Sequence, residues 1–154
     1  MRVRDLMSQP VYTCTLEQPA QAAAQIMWEH DCGIVPIVDN ESRLVGVVTD
    51  RDICMAALFQ NRPLAEIQVA SVMAGNVSTC KADDPLIDAE HLMSLRQVHR
   101  LPVVDDLGVP TGVLSLADVA RRVRSNGSKK DGAMDLAETI AAISEPHNGS
   151  VAAN

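Results

Sequence analysis

A repeat of 66 residues is the feature that most constrains what this chain can fold into. The segment Gly46 to Ile53, GVVTDRDI, returns as Gly112 to Val119, GVLSLADV. The same offset separates the members of six further pairs: Met7 and Met73, Cys14 and Cys80, Pro19 and Pro85, Met27 and Met93, Pro36 and Pro102, Asp39 and Asp105. Because one offset runs through these positions without a gap, the sequence predicts a single structural unit used twice in tandem.

The length of 154 residues allows one well-buried domain or two small ones. Each repeat alone is close to the smallest size that supports its own core, so we expect the two copies to pack together and bury a shared face. The chain has one Trp, one Tyr and one Phe. The core must therefore consist of aliphatic residues and methionine, with Met7, Met27, Met73 and Met93 as core positions.

Local patterns predict the order strand, helix, strand, strand, helix in each copy, a fold of the α/β (α+β) class. In the first copy we expect a strand near 11–14, a helix from Pro19 that Gly33 ends, strands at 34–38 and 44–48, and a helix at 49–59. In the second we expect a strand near 77–80, a helix at 85–97, strands at 101–104 and 111–114, and a helix at 115–123. Pro36 should lie at an edge, a bulge or an unpaired amide.

Five segments follow from these patterns and from composition. They are repeat 1 at 4–62, repeat 2 at 70–124, a flexible linker at 125–133, a C-terminal helix at 134–146 and a disordered tail at 147–154.

Charge and cysteine usage narrow the classes of partner and compartment. The net charge of −7 argues against binding nucleic acid or an anionic membrane surface, since both rely on Lys and Arg. The start of the chain does not resemble a signal peptide, and no apolar run approaches a membrane span. The cysteines, Cys14, Cys32, Cys54 and Cys80, form no C-x-x-C pair. We expect buried free thiols in a reducing cytoplasm.

Two hydroxyl–carboxylate pairs are the strongest local signals, and two interpretations of them stay open. Thr49 with Asp52, and Ser115 with Asp118, match the capping box, in which each side chain satisfies a backbone amide of the helix start. Alternatively, each strand-to-helix junction presents free amides and a positive helix end to a phosphate, while the aspartate accepts the two hydroxyls of a ribose.

Other polar residues have ordinary structural explanations. His99 and Arg100 could be an exposed pair at a turn, and His30 fits a cation at a helix end. A metal site built from His30, Cys32 and Cys54 is disfavoured because zinc generally needs four ligands at workable spacing. No catalytic motif is present, and the two aspartates fit two equivalent pockets better than an acid/base pair, so we expect no enzyme.

The strands VPIVD (35–39) and LPVVD (101–105), together with the two G-h-h-[ST]-x-x-D junctions, resemble a tandem pair of cystathionine-β-synthase (CBS) domains, the Bateman module. The resemblance covers about 4–124, and the chain is similar to stand-alone bacterial CBS-pair proteins of the stress- or hypoxia-response type. It implies two β-α-β-β-α repeats with pseudo-twofold symmetry, a cleft for up to two adenosine-type ligands such as AMP, ADP, ATP or S-adenosylmethionine, and a homodimer.

The resemblance also implies which residues form each ligand site. Site 1 would use Ser8, Val11, Cys32, Gly33, Ile34, Ser115 and Asp118. Site 2 would use Ala74, Val77, Val98, His99, Arg100, Thr49, Arg51 and Asp52. Site 2 is favoured for a phosphorylated ligand because Arg51 and Arg100 offer charge-assisted donors. At the positions of Arg51, His99 and Arg100, site 1 has Ala117, Gly33 and Ile34, with Arg121 or Arg122 as substitutes.

These expectations lead to a non-catalytic cytoplasmic sensor that binds an adenine nucleotide between its repeats. It needs no catalytic cofactor, and its output passes through an unidentified effector protein or through the shape of its dimer. The alternative is an interaction protein of the same fold that responds to redox or metal through its thiols and binds no nucleotide.

Overall fold

Two equivalent units follow one another in the computed structural model, which describes residues 1–125, 137 and 139–144. The first contains β1 (Cys14–Thr15), α1 (Ala20–Glu29), β2 (Ile34–Val38), β3 (Leu44–Thr49) and α2 (Asp50–Gln60). The second contains α3 (Leu86–Arg96), β4 (Arg100–Val104), β5 (Pro110–Ser115) and α4 (Leu116–Ser125). Short 3-10 turns at Val3–Asp5, Leu64–Glu66 and Val69–Ser71 precede or join the units. The structure confirms the α+β class.

Both units contain the same antiparallel hairpin. In the first, β1 runs parallel to β2 and β2 pairs with β3. In the second, β4 pairs with β5 in the equivalent register. The predicted strand near 11–14 is reduced to two residues, and its counterpart near 77–80 is only a bridge from Cys80 to Val103. Both strands were predicted too long. Each of these segments lies at the edge of its sheet and pairs with a neighbour at only one or two positions.

Pro36 lies in the middle strand of its sheet, opposite Val47. On its other side β1 reaches only as far as Ile37. The amide that proline lacks therefore falls beyond the end of β1, and the strand tolerates it.

The two repeats exchange their 3-10 turns. Val3 is buried in the core of the second repeat, where its amide donates to the Asp84 carbonyl at 3.1 Å. Val69 is buried in the core of the first repeat, where its amide donates to the Gln18 carbonyl at 2.9 Å. Each repeat thus completes the core of the other, as the size of a single repeat requires.

Glycine is required where the repeats meet. A Cβ at Gly46 would lie 2.9 Å from the Ala74 carbonyl oxygen, and a Cβ at Gly112 would lie 3.0 Å from the Ser8 carbonyl oxygen. Here each β hairpin touches the segment after the other repeat's 3-10 turn, in the bridges of Val47 with Ala74 and of Ser8 with Val113. The predicted methionine positions are confirmed, because Met27 and Met73 pack on the first core, and Met7 and Met93 belong to the second. The large aromatics Trp28 and Phe59 are exposed.

Helix ends differ from expectation at one point. Asp31, at φ 48°, takes the left-handed conformation after α1 that we expected of Gly33. His30 is the last residue before this turn, and its ring stacks on that of Tyr12 at 3.5 Å.

Little of the C-terminal part is described. Residues 137 and 139–144 are helical, within the predicted helix at 134–146, and Ile143 is buried in the second core. α4 is described as far as Ser125, which is the first residue of the linker predicted at 125–133. The rest of that linker and the tail at 147–154 lie outside the described residues.

Candidate functional site

The junction between β3 and α2 forms a complete capping box. The Thr49 hydroxyl accepts the Asp52 amide at 3.2 Å. Asp52 Oδ2 accepts the Thr49 amide at 2.9 Å and the Thr49 hydroxyl at 2.7 Å. Thr49 has extended backbone angles and the carboxylate lies three residues later, so the local sequence is sufficient to produce this geometry.

The expectation of free amides at this helix start is wrong. The Asp50 amide donates to the Gly33 carbonyl at 3.4 Å, and the Arg51 amide donates to Asp50 Oδ1 at 2.9 Å. With the Asp52 amide held by Thr49, the first turn of α2 has no spare donor for a phosphate. An anion at this junction must be held by side chains.

The junction between β5 and α4 repeats the cap. Asp118 Oδ2 accepts the Ser115 amide at 2.8 Å and the Ser115 hydroxyl at 2.6 Å, and the Asp118 amide donates back to Ser115 Oγ at 3.2 Å. The capping interpretation therefore holds in both repeats. What each aspartate can still do depends on its second oxygen.

The second oxygens of the two aspartates have different surroundings. Asp118 Oδ1 accepts from the Arg121 guanidinium, with which it forms an ion pair, and from Ser8 Oγ at 3.4 Å. Asp118 is 6% exposed. Asp52 is half-buried, and its Oδ1 has no hydrogen-bond partner within the described part of the chain. Asp52 is free to accept hydroxyl groups of a ligand, whereas Asp118 is already engaged.

All eight residues predicted for site 2 line one cavity of about 1160 Å³. Thr49, Arg51 and Asp52 come from the β3–α2 junction of the first repeat. The other five come from the second repeat: Ala74, Val77, Val98, His99 and Arg100. The cavity thus lies between the repeats.

Further residues line this cavity that the sequence patterns do not single out: Ile34, Val47, Asp50, Asn76, Ser78, Arg96, Gln97, Pro102, Ile143 and Ser144. Arg96 could have been found from the sequence, because it is a further arginine that lies three residues before His99 and four before Arg100. Ile143 and Ser144 could not, since they lie beyond both repeats and have no equivalent in the 66-residue pattern.

The charges around the cavity suit an anionic ligand. Three arginines, Arg51, Arg96 and Arg100, line it together with Asp50 and Asp52. Arginine binds phosphate through paired, charge-assisted donors. The cap holds the Asp52 carboxylate in place through Oδ2. The arginines can therefore bind a phosphate while Asp52 Oδ1 accepts hydrogen bonds from hydroxyl groups.

The seven residues predicted for site 1 are only partly brought together. Ser8, Ser115 and Asp118 meet through the hydrogen bonds around the Asp118 carboxylate. Ile34 instead lines the cavity of site 2, and a Cβ at Gly33 would lie against Arg100.

The remaining two, Val11 and Cys32, are half-buried, and Cys32 Sγ contacts the Ile26 carbonyl at 3.9 Å. Arg121, expected to replace a phosphate-binding arginine, is instead the ion-pair partner of Asp118.

The four thiols have different surroundings. Cys14 and Cys80 are buried as expected, but Cys54 is exposed and Cys32 is half-buried. Burial, with a smaller contribution from the Asp84 carboxylate, raises the pKa of Cys80 to about 12. Burial also raises the pKa of Cys14 and of Cys32. Among the described residues, no three His, Cys, Asp or Glu side chains are grouped so as to hold a metal ion.

Within the described residues, none of the helices has the length and apolar character needed to cross a bilayer.

Comparison with known proteins gives consistent matches over both repeats. The family model of the CBS domain matches residues 3–58 and 69–125. The CBS domain-containing protein YhcV of Bacillus subtilis (strain 168) is 35% identical over 130 residues, which cover 82% of this chain and 88% of YhcV.

Two solved structures are similar over most of their length. The CBS domain pair of protein MJ0100, in complex with 5′-methylthioadenosine and S-adenosyl-L-methionine, has a TM-score of 0.74 and 28% identity, and the match covers 82% of this chain and 98% of that one. Hypoxic Response Protein I, with two coordinated zinc ions, has a TM-score of 0.70 and 30% identity, and the match covers 79% and 98%.

Proposed function

This chain belongs to the CBS domain family, and we propose that it is a non-catalytic regulatory protein that binds an adenosine-type ligand at site 2, between its two repeats. The observation that carries the proposal is the pairing, in one cavity, of an Asp52 carboxylate oxygen with no partner in the described residues and three arginines. A nucleotide presents the matching groups, a diol and a phosphate.

Each part of a nucleotide has a complement in the cavity. The ribose hydroxyls donate to Asp52 Oδ1, because Oδ2 is held by Thr49. Val77 and Val98 offer an apolar surface to the adenine. Arg51 and Arg100 bind the phosphate through charge-assisted hydrogen bonds.

The class of ligand is supported by the adenosine moiety common to both ligands of the MJ0100 domain pair. The three arginines of this cavity favour AMP, ADP or ATP over S-adenosylmethionine, whose sulfonium group is positive. Binding can regulate only if it favours one of two states of the protein.

The proposed output is through a homodimer in the cytoplasm and an effector protein that responds to its state. Two exposed aromatic side chains support a second copy as partner: Trp28 on α1 is 88% exposed, and Phe59 on α2 is 80% exposed. The similarity to Hypoxic Response Protein I supports a role in stress response.

A redox- or metal-responsive protein that binds no nucleotide is the second candidate. It is favoured by the two zinc ions of Hypoxic Response Protein I and by the exposed thiol of Cys54. It has less support from this chain, because the described residues contain no group of three metal-binding side chains.

Calorimetric titration of the purified protein with AMP, ADP, ATP, adenosine and S-adenosylmethionine tests the first proposal. Asp52→Ala should abolish binding. Asp118→Ala is the matched control, because it removes the equivalent cap in the other repeat and should leave nucleotide affinity intact. No heat with any of these ligands, together with stoichiometric zinc binding, would favour the second candidate.

A further inference from the structure

We infer that Arg121 is a specificity-determining residue that keeps the ribose out of site 1, so that each chain binds one adenosine-type ligand, at site 2. The inference rests on the proposed function. It concerns the one feature in which the two otherwise equivalent junctions differ most.

The carboxylate of Asp118 has no acceptor left for a diol. Oδ2 is used by the amide and hydroxyl of Ser115, and Oδ1 is used by Ser8 and by the ion pair with Arg121. A ribose at this position must displace the guanidinium from a carboxylate that is 6% exposed. Breaking an ion pair is costly when one partner is left in low dielectric, so the hydroxyl groups of a neutral ribose do not compete.

The first repeat lacks both competing groups. Sixty-six residues before Arg121 the chain has Met55, and 66 residues after Ser8 it has Ala74. Neither Met55 nor Ala74 has a side chain that can donate to Asp52 Oδ1. With Met55 and Ala74 at these positions, Asp52 Oδ2 still caps the helix, and Asp52 Oδ1 remains available to a ligand.

Because Arg121 and Met55 occupy equivalent positions in the two repeats, each can be changed to the other, and the two variants should have opposite effects. Equilibrium dialysis with labelled adenosine, which has the diol but no phosphate, measures the number of ligands per chain at saturation. The wild-type protein should bind one, Arg121→Met should bind two, and Met55→Arg should bind none. Adding Asp118→Ala to Arg121→Met should return the number to one.

The outcomes separate this inference from the proposed function. If no variant binds adenosine, the proposed function fails and the inference fails with it. Two ligands on the wild type, or one on a folded Arg121→Met, overturns the inference alone. Should Arg121→Met not fold by circular dichroism, Met55→Arg decides, because continued binding by that variant shows that an arginine here does not block the diol.

Discussion

The guanidinium of Arg100 lies against the α-carbon of Gly33, so that a Cβ at residue 33 would come 2.5 Å from Nη2 and 2.8 Å from Cζ. Arg100 lines the site 2 cavity, whereas Gly33 belongs to the other repeat. The absence of a side chain at Gly33 therefore sets where the Arg100 guanidinium can lie. The equivalent position 66 residues later is His99, so the space that Gly33 leaves for an arginine exists in the first repeat only.

Gly33→Ala should weaken AMP and ATP while leaving adenosine unchanged. The new methyl group displaces the end of the Arg100 side chain, and a charge-assisted hydrogen bond is worth about 1.5–3 kcal/mol, or roughly tenfold in affinity or more. Calorimetry with the three ligands measures this. Gly75→Ala is the control, since a Cβ there meets nothing within 4 Å. Equal affinities in wild type and Gly33→Ala would show that Arg100 does not contact the phosphate.

Arg100→Ala should have a larger effect of the same kind. Loss of the guanidinium removes the Arg100 contact with the phosphate and leaves that of Arg51, so the affinity for AMP should fall roughly tenfold or more and that for adenosine should change little. Arg62→Ala, which removes an arginine outside the cavity, should bind like the wild type. An equal loss for AMP and adenosine would make Arg100 a structural residue.

Ile143→Ala should destabilise the protein by about 2–5 kcal/mol, as deletion of a buried aliphatic side chain does. Ile143 is 3% exposed in the second core and also lines the cavity, whereas Ile140, one turn earlier, is 41% exposed. Urea unfolding of Ile143→Ala and of Ile140→Ala compares the two. Equal and small losses would mean that the helix at 139–144 does not pack as described.

Stability should fall with rising pH, in part through Cys80. Its pKa is raised from the ordinary 9.0 to about 12, so the thiol holds its proton more tightly in the folded chain. Its contribution is complete below about pH 9 and is lost as the pH rises toward 12. Free energies of unfolding from urea titrations between pH 8 and 10.5 should fall less steeply in Cys80→Ala. Identical slopes in both proteins would contradict the raised pKa.

The sequence predicted the architecture well because a 66-residue offset constrains every element twice. The strand Ile34–Val38 has the predicted bounds, since an apolar run between a turn and Asp39 leaves little choice. The strand near 77–80 was overestimated, because its pairing depends on a neighbour that is distant in sequence. The eight residues of site 2 line one cavity, but their role in binding stays a prediction.

What the sequence could not give was the use of each polar group. Whether the amides of α2 are free depends on Gly33 and Asp50, which no pattern connects to them. That Arg121 forms an ion pair with Asp118 follows from the position of the two residues three apart along α4. In both cases a polar group has several possible partners, and which one it binds depends on how the chain packs.

Because each repeat carries the 3-10 turn that fills the other's core, neither half of this chain is an independent folding unit. A fragment of residues 1–62 would lack Ile67 and Val69, which belong to its own core, and would expose Val3, whose place is in the other. The fragments of the first and the second repeat, made as separate polypeptides, would each supply the side chains that the other lacks, and they should reassemble by complementation. A single repeat expressed alone could bury its turn only in a second copy of itself, as a swapped pair.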